Sequence, residues 1–111
     1  MRAARALSLA AIVAILALTG CGGSSEPKHH VHLTAFERRG RTLFIPTCGV
    51  CHQLADAGTS GAAGPALDTP WLASRVRETI ADGPGVMPAG RVSGRAAAEV
   101  AAYVAAATAQ R

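Results

Sequence analysis

Cys48-Gly49-Val50-Cys51-His52 is the stretch from which the rest of the chain is read. Two thiols stand three residues apart, and an imidazole follows the second without a gap. This is the spacing by which a c-type haem is attached covalently. Each thiol can add across one haem vinyl group to form a thioether. About one helical turn separates the two sulfurs, so both reach the same edge of the macrocycle. The next side chain then falls under the iron, where a neutral imidazole nitrogen binds axially. A Cys-x-x-Cys pair alone also serves as half of a zinc site or as a thioredoxin-like redox couple. Both chemistries stay open until the flanking sequence is read.

Upstream, Thr34-Ala35-Phe36-Glu37 has the form of a capping box. It predicts a helix from about Ala35 to Ile45, with Pro46 ending or bending it. Phe36, Gly40, Leu43 and Phe44 cluster on one side of that helix, while Arg38, Arg39 and Arg41 lie largely on others. The arginines read as a solvated face or as a docking patch for an acidic redox partner.

Downstream, Gln53 to Thr69 is a Gly- and Ala-rich loop. Thr69-Pro70 offers an N-cap followed by proline in the first turn, and Leu72, Val76 and Ile80 make one apolar stripe. Gly83 and Pro84 terminate this second helix. Trp71 reads as a core or haem-edge residue whose indole N–H can reach a propionate. In Gly83-Pro84-Gly85-Val86-Met87-Pro88-Ala89-Gly90, the methionine has no helical face to pack on, and a thioether is a soft ligand suited to iron. Ser93 is placed to cap a last, Ala-rich helix over roughly Arg95 to Thr108, with Val100, Tyr103 and Val104 on its apolar side. No βαβ pattern, repeat or second ligand cluster is visible. That removes the thioredoxin-like alternative and leaves zinc short of ligands.

Together these motifs resemble the class I cytochromes c over about Thr34 to Thr108. Gly40 and Phe44 precede the haem motif as in the family's N-terminal helix. Gly64-Pro65-Ala66-Leu67, Gly85-Val86-Met87-Pro88 and Val100-Ala101-Ala102-Tyr103-Val104 follow in the family's order. The resemblance implies an all-α fold of about three main helices around one haem c, bound covalently by Cys48 and Cys51. It implies His52 and Met87 as axial ligands of the iron, and the Pro65 carbonyl as acceptor for the other imidazole N–H. Leu67, Trp71 and Phe44 would pack on the haem, and Gly40 would meet Tyr103 where the first and last helices cross. The implied function is single-electron carriage between redox proteins, with no catalytic residues, small-molecule substrate or nucleic acid. A haem-bearing structural or sensor subunit of a membrane oxidoreductase complex is the alternative.

The N-terminus bears on location. Met1 to Arg5 is basic, and Ala6 to Thr19 is an apolar run shorter than the about 20 residues a bilayer span needs. Leu18-Thr19-Gly20-Cys21 resembles the lipobox of bacterial lipoproteins, which implies cleavage before Cys21 and acylation of that residue. The expected organisation is a signal peptide over 1–20, a lipidated N-terminus and linker over 21–33, and a cytochrome domain over 34–111. The expected location is extracytoplasmic, at a membrane. His29, His30 and His32 read as solvated linker residues, with metal binding or haem ligation as lesser roles.

Composition supports a cofactor-dependent core. The chain holds only two Phe, one Tyr and one Trp in 111 residues. So small an apolar set builds little core unaided, and a buried porphyrin would supply the missing mass. The formal charge of +4 falls to +2 once Arg2 and Arg5 leave with the leader, and two haem propionates bring it near neutrality. The basic balance therefore argues for no nucleic-acid partner.

Overall fold

The computed structural model describes residues 31–109. The leader, Cys21, His29 and His30 lie outside them, as do the expectations that rest on them. Three helices, α1 (Ala35–Thr47), α2 (Ala73–Asp82) and α3 (Gly94–Thr108), form the frame. A small antiparallel hairpin, β1 (Gln53–Leu54) with β2 (Thr59–Ser60), interrupts the connection from α1 to α2. None of the helices described is long and apolar enough to cross a membrane.

The capping box starts α1: the Thr34 hydroxyl accepts from the Glu37 N–H at 3.2 Å, and the Glu37 carboxylate accepts from the Thr34 N–H at 2.6 Å. The helix does not stop at Ile45. It runs through Pro46 to Thr47, because a proline in the last turn forfeits one backbone donor only. The N–H groups of Cys48 and Gly49 both reach back to the Phe44 carbonyl, at 2.8 and 2.9 Å, and close the turn beyond it.

α1 crosses α3 at Gly40. A side-chain carbon there would run into the Glu99 carbonyl and lie 2.8 Å from the Tyr103 Cβ, so only glycine permits the approach. Beside the crossing, Phe44 and Tyr103 pack edge to face with centroids 5.7 Å apart. Two polar clusters flank it. Glu99, nearly buried, accepts from Arg39 at 2.8 Å and Arg95 at 2.9 Å. The Tyr103 hydroxyl donates to Asp56 at 2.6 Å, and Arg41 donates to the Asp56 carbonyl at 3.0 Å. Side-chain hydrogen bonds from Arg39 and then Arg95 hold the Glu99 carboxyl below the usual carboxylate range. Burial, reinforced by Asp56, pushes the Tyr103 phenol above its ordinary value.

Two local expectations are corrected. The second helix begins at Ala73, not after Thr69. Leu72 takes the N-cap position with extended backbone and no side-chain capping bond. Outside the helix, Leu72 drops from the expected stripe and is 74% exposed, while Val76 and Ile80 pack inward. The loop after His52 also contains a hairpin that its sequence does not announce. The Thr59 hydroxyl makes it, accepting from the Leu54 N–H at 3.0 Å and donating to the His52 carbonyl at 2.9 Å. At the C-terminal end of α2, Gly83 adopts the left-handed conformation and its N–H caps onto the Thr79 carbonyl. Ser93 takes the N-cap position of α3, although its hydroxyl makes no capping bond.

The buried set is Phe44, Leu54, Leu67, Ile80, Val100, Tyr103 and Val104, with alanines between them. Several of these side chains also form the floor of a large apolar cavity.

Candidate haem site

The cavity, of about 270 Å³, lies between the C-terminal turn of α1, one face of α3, the α2 helix and the two long loops. Phe44, Leu67, Ile80, Val100 and Val104 line its interior, and Trp71 and Val76 close one side. Cys48, Cys51 and His52 enter from the end of α1, and Met87 enters from the loop after α2. The structure therefore brings both thiols, the imidazole and the thioether to one apolar cavity.

The turn that presents the motif is built from backbone hydrogen bonds. The N–H groups of Cys51 and His52 both donate to the Cys48 carbonyl, at 3.0 and 2.9 Å, and the Gly64 N–H donates to the Cys51 carbonyl at 2.8 Å. This last bond lays the loop beside the imidazole. A side-chain carbon at Gly64 would sit 2.5 Å from the His52 Cε1, so the ring rests directly on that glycine. One residue on, the Pro65 carbonyl stands 2.9 Å from the His52 Nδ1. A carbonyl can only accept, so Nδ1 carries the proton and Nε2 keeps its lone pair for a ligand. Burial pushes the Cys48 thiol up, with the Arg91 charge pulling against it.

Across the cavity, Met87 is half-buried in a loop held by fewer bonds. Its N–H meets the Pro84 carbonyl at 3.2 Å, and the Gly90 N–H meets the Ile80 carbonyl at 2.7 Å. The Trp71 backbone N–H donates to the Thr108 hydroxyl at 3.0 Å, which ties this part of the wall to α3. Its indole nitrogen is buried and has no protein partner. A porphyrin fits this set: an apolar slot, two thiols three residues apart that both line it, an imidazole with its tautomer fixed, and an indole donor free for an acceptor such as a propionate.

Two contributors escaped sequence reasoning. Thr59 fixes the His52 carbonyl through a hydroxyl seven residues away, and no local pattern marks it. Arg91 lines the cavity four residues beyond Met87, a position that the methionine loop itself could have flagged. Gly40 and Tyr103 meet where the helices cross, behind the cavity wall and not in it. Among the described residues, no group of three or more His, Cys, Asp or Glu side chains is placed to hold a metal ion.

Residues 35–104 match the family model described as cytochrome c oxidase, cbb3-type, subunit III. No curated protein matches the chain. Among solved structures, it is similar to the c-type cytochrome SorU from Sinorhizobium meliloti. That match has 36% identity and a TM-score of 0.57, and covers 66% of this chain and 91% of the other. The all-α frame, the cavity and these matches agree on a covalently bound haem c as the cofactor. The chain belongs to the family of that model, as a class I monohaem cytochrome c domain.

Proposed function

We propose that the protein is a lipid-anchored, extracytoplasmic electron carrier in which Cys48 and Cys51 hold the haem through thioethers and His52 and Met87 fill both axial positions. The haem supplies one-electron cycling between ferrous and ferric iron. The chain does the rest. Pro65 keeps the imidazole proton on Nδ1, which frees the Nε2 lone pair to bind a metal. The Met87 thioether, as a second ligand, would favour the ferrous state and raise the reduction potential. Leu67, Ile80, Val100 and Val104 line the cavity with apolar surface and would keep water from a bound haem iron. With both axial positions filled by the protein, the site moves electrons and offers no place for a substrate.

The observation that carries this reading is the entry of a tautomer-fixed imidazole and a single methionine into the same apolar cavity. Its test is the weak far-red sulfur-to-iron band of the ferric protein. The band should be present in the wild type and absent in Met87→Ala, and a band unchanged by the substitution refutes the ligand assignment. The anchor is tested separately: Cys21→Ser should release the protein from membranes.

A second reading, a haem subunit within a membrane oxidoreductase, draws support from the family's description as an oxidase subunit. Stoichiometric co-purification with oxidoreductase subunits in mild detergent would favour it over a free carrier.

A further inference from the structure

Thr59 lies outside the haem cavity, yet its side chain is bonded to the residue whose imidazole enters it. Its hydroxyl donates to the His52 carbonyl at 2.9 Å and accepts from the Leu54 N–H at 3.0 Å, so a single oxygen holds two consecutive peptide groups. Its methyl packs against Gly49, where a side-chain carbon would collide with it. A clamp positions a group only if its own footing is firm, and the footing here is independent of the cavity. Leu54 is fully buried. Asp56, in the turn of the hairpin, accepts from the Tyr103 hydroxyl at 2.6 Å, and its backbone carbonyl accepts from Arg41 at 3.0 Å. The hairpin is therefore tied to α1 and α3, and Thr59 carries that tie to His52.

We propose that Thr59 is a positioning residue, whose hydroxyl sets the plane in which the His52 imidazole meets the iron. The inference rests on His52 as an axial ligand and adds a residue that acts through it. Three bonds converge on His52: its N–H donates to the Cys48 carbonyl at 2.9 Å, its carbonyl accepts from Thr59, and its Nδ1 meets the Pro65 carbonyl at 2.9 Å. The Pro65 bond alone leaves the ring free to pivot about the line from Nδ1 to that oxygen. The two backbone bonds fix where the Cα–Cβ bond points, and the ring plane follows from all three. Without the hydroxyl, the His52 carbonyl and the Leu54 N–H lose their partner together. The peptide after His52 then turns, and the Cα–Cβ bond turns with it. Nε2 is left off its axis as a poorer donor, which favours the ferrous state.

Proton NMR of the haem-loaded ferric protein tests this, because the hyperfine shifts of the His52 ring protons report how the ring meets the iron. Thr59→Val keeps the side-chain shape and removes the hydroxyl. It should move the His52 ring resonances, raise the ferrous-to-ferric ratio severalfold at a fixed applied potential, and speed exchange of the Leu54 amide about tenfold. Thr59→Ser keeps the hydroxyl and loses the methyl at Gly49. It should melt below the wild type, with the wild-type ring resonances and ferrous-to-ferric ratio. Glu99→Gln, which acts at the helix crossing, should also melt lower and leave both readouts alone. A Thr59→Val protein that only melts lower, with resonances and ratio unmoved, overturns the proposal. So does a Thr59→Ser protein whose ring resonances shift as its melting temperature falls, and this arm stands even where the valine variant does not fold. A ferric wild type whose His52 ring protons carry no hyperfine shift refutes His52 as a ligand, which is a separate failure from the other two.

Discussion

On the His52 wall of the cavity, every element has a partner. The motif's backbone folds onto Cys48, Gly64 bonds to Cys51, Thr59 clamps the His52 carbonyl, and Pro65 fixes the ring. On the Met87 wall, two backbone hydrogen bonds and a left-handed turn at Gly83 hold a loop whose tip, Val86, is almost fully exposed. The first wall holds its imidazole in one orientation, with little freedom left to lose. The second leaves its thioether on a segment with few buried contacts, the kind of segment that opens before the rest of the fold. Local stability in this molecule is therefore divided across the cavity: the imidazole side is tied down by several hydrogen bonds, and the thioether side by fewer.

The strongest way to break that asymmetry is Gly64→Val. Even its Cβ would lie 2.5 Å from the imidazole, so the ring must swing away from the Pro65 carbonyl. Overpacking of this kind costs about 3 kcal/mol. The expected outcome is haem that remains covalently attached on denaturing gels but has lost the low-spin spectrum that two axial ligands give. Gly83→Ala should come next. The position has φ +57, which an alanine adopts at a cost of about 1–2 kcal/mol, and its methyl would press on the Ala89 backbone. The Met87 loop should shift, so the far-red band weakens while the imidazole signals stay. If Gly83→Ala disturbs the imidazole and Gly64→Val does not, the ranking of the two walls is reversed.

The smallest effect is expected at Glu99→Gln, which touches neither wall. Because Arg39 and Arg95 lower the folded-state pKa of Glu99, its contribution is complete above the ordinary unfolded value and is lost as pH falls through the lower folded one. The variant should melt slightly below the wild type at neutral pH, and the gap should close in acid. The haem absorption spectrum should be undisturbed throughout. A gap that widens in acid would mean that the pair does not act through ionised Glu99.

Much of the frame could be read from short-range patterns. The capping box at Thr34, the glycine stop at Gly83 and the alanine-rich run after Ser93 each act within a turn or two of chain, and the helices follow them. The approach of Gly40 to Tyr103 was legible only through resemblance to a family, because nothing local demands a glycine there. Features set by distant partners were not legible. Arg39 is engaged by a glutamate sixty positions away, which turns an apparent binding face into a structural one. Leu72 matches a helical stripe in spacing, yet the backbone enters α2 one residue too late to use it. Two-residue strands carry no alternation to detect, and a threonine hydroxyl, not a hydrophobic pattern, brings them together.

The crossing of α1 over α3 also sets an order in time. Gly40 and Tyr103 sit near opposite ends of the described chain, and Val100 and Val104, which complete the cavity wall, come from its last helix. A chain that emerges N-terminus first exposes both cysteines and the imidazole well before that wall exists. During this interval the motif is a short, accessible peptide and can be ligated from either side. Once α3 docks, the same thiols are half-buried in the wall of the cavity. The long sequence separation of the two contact points slows the closing of that wall, because its pairing must wait for the last helix.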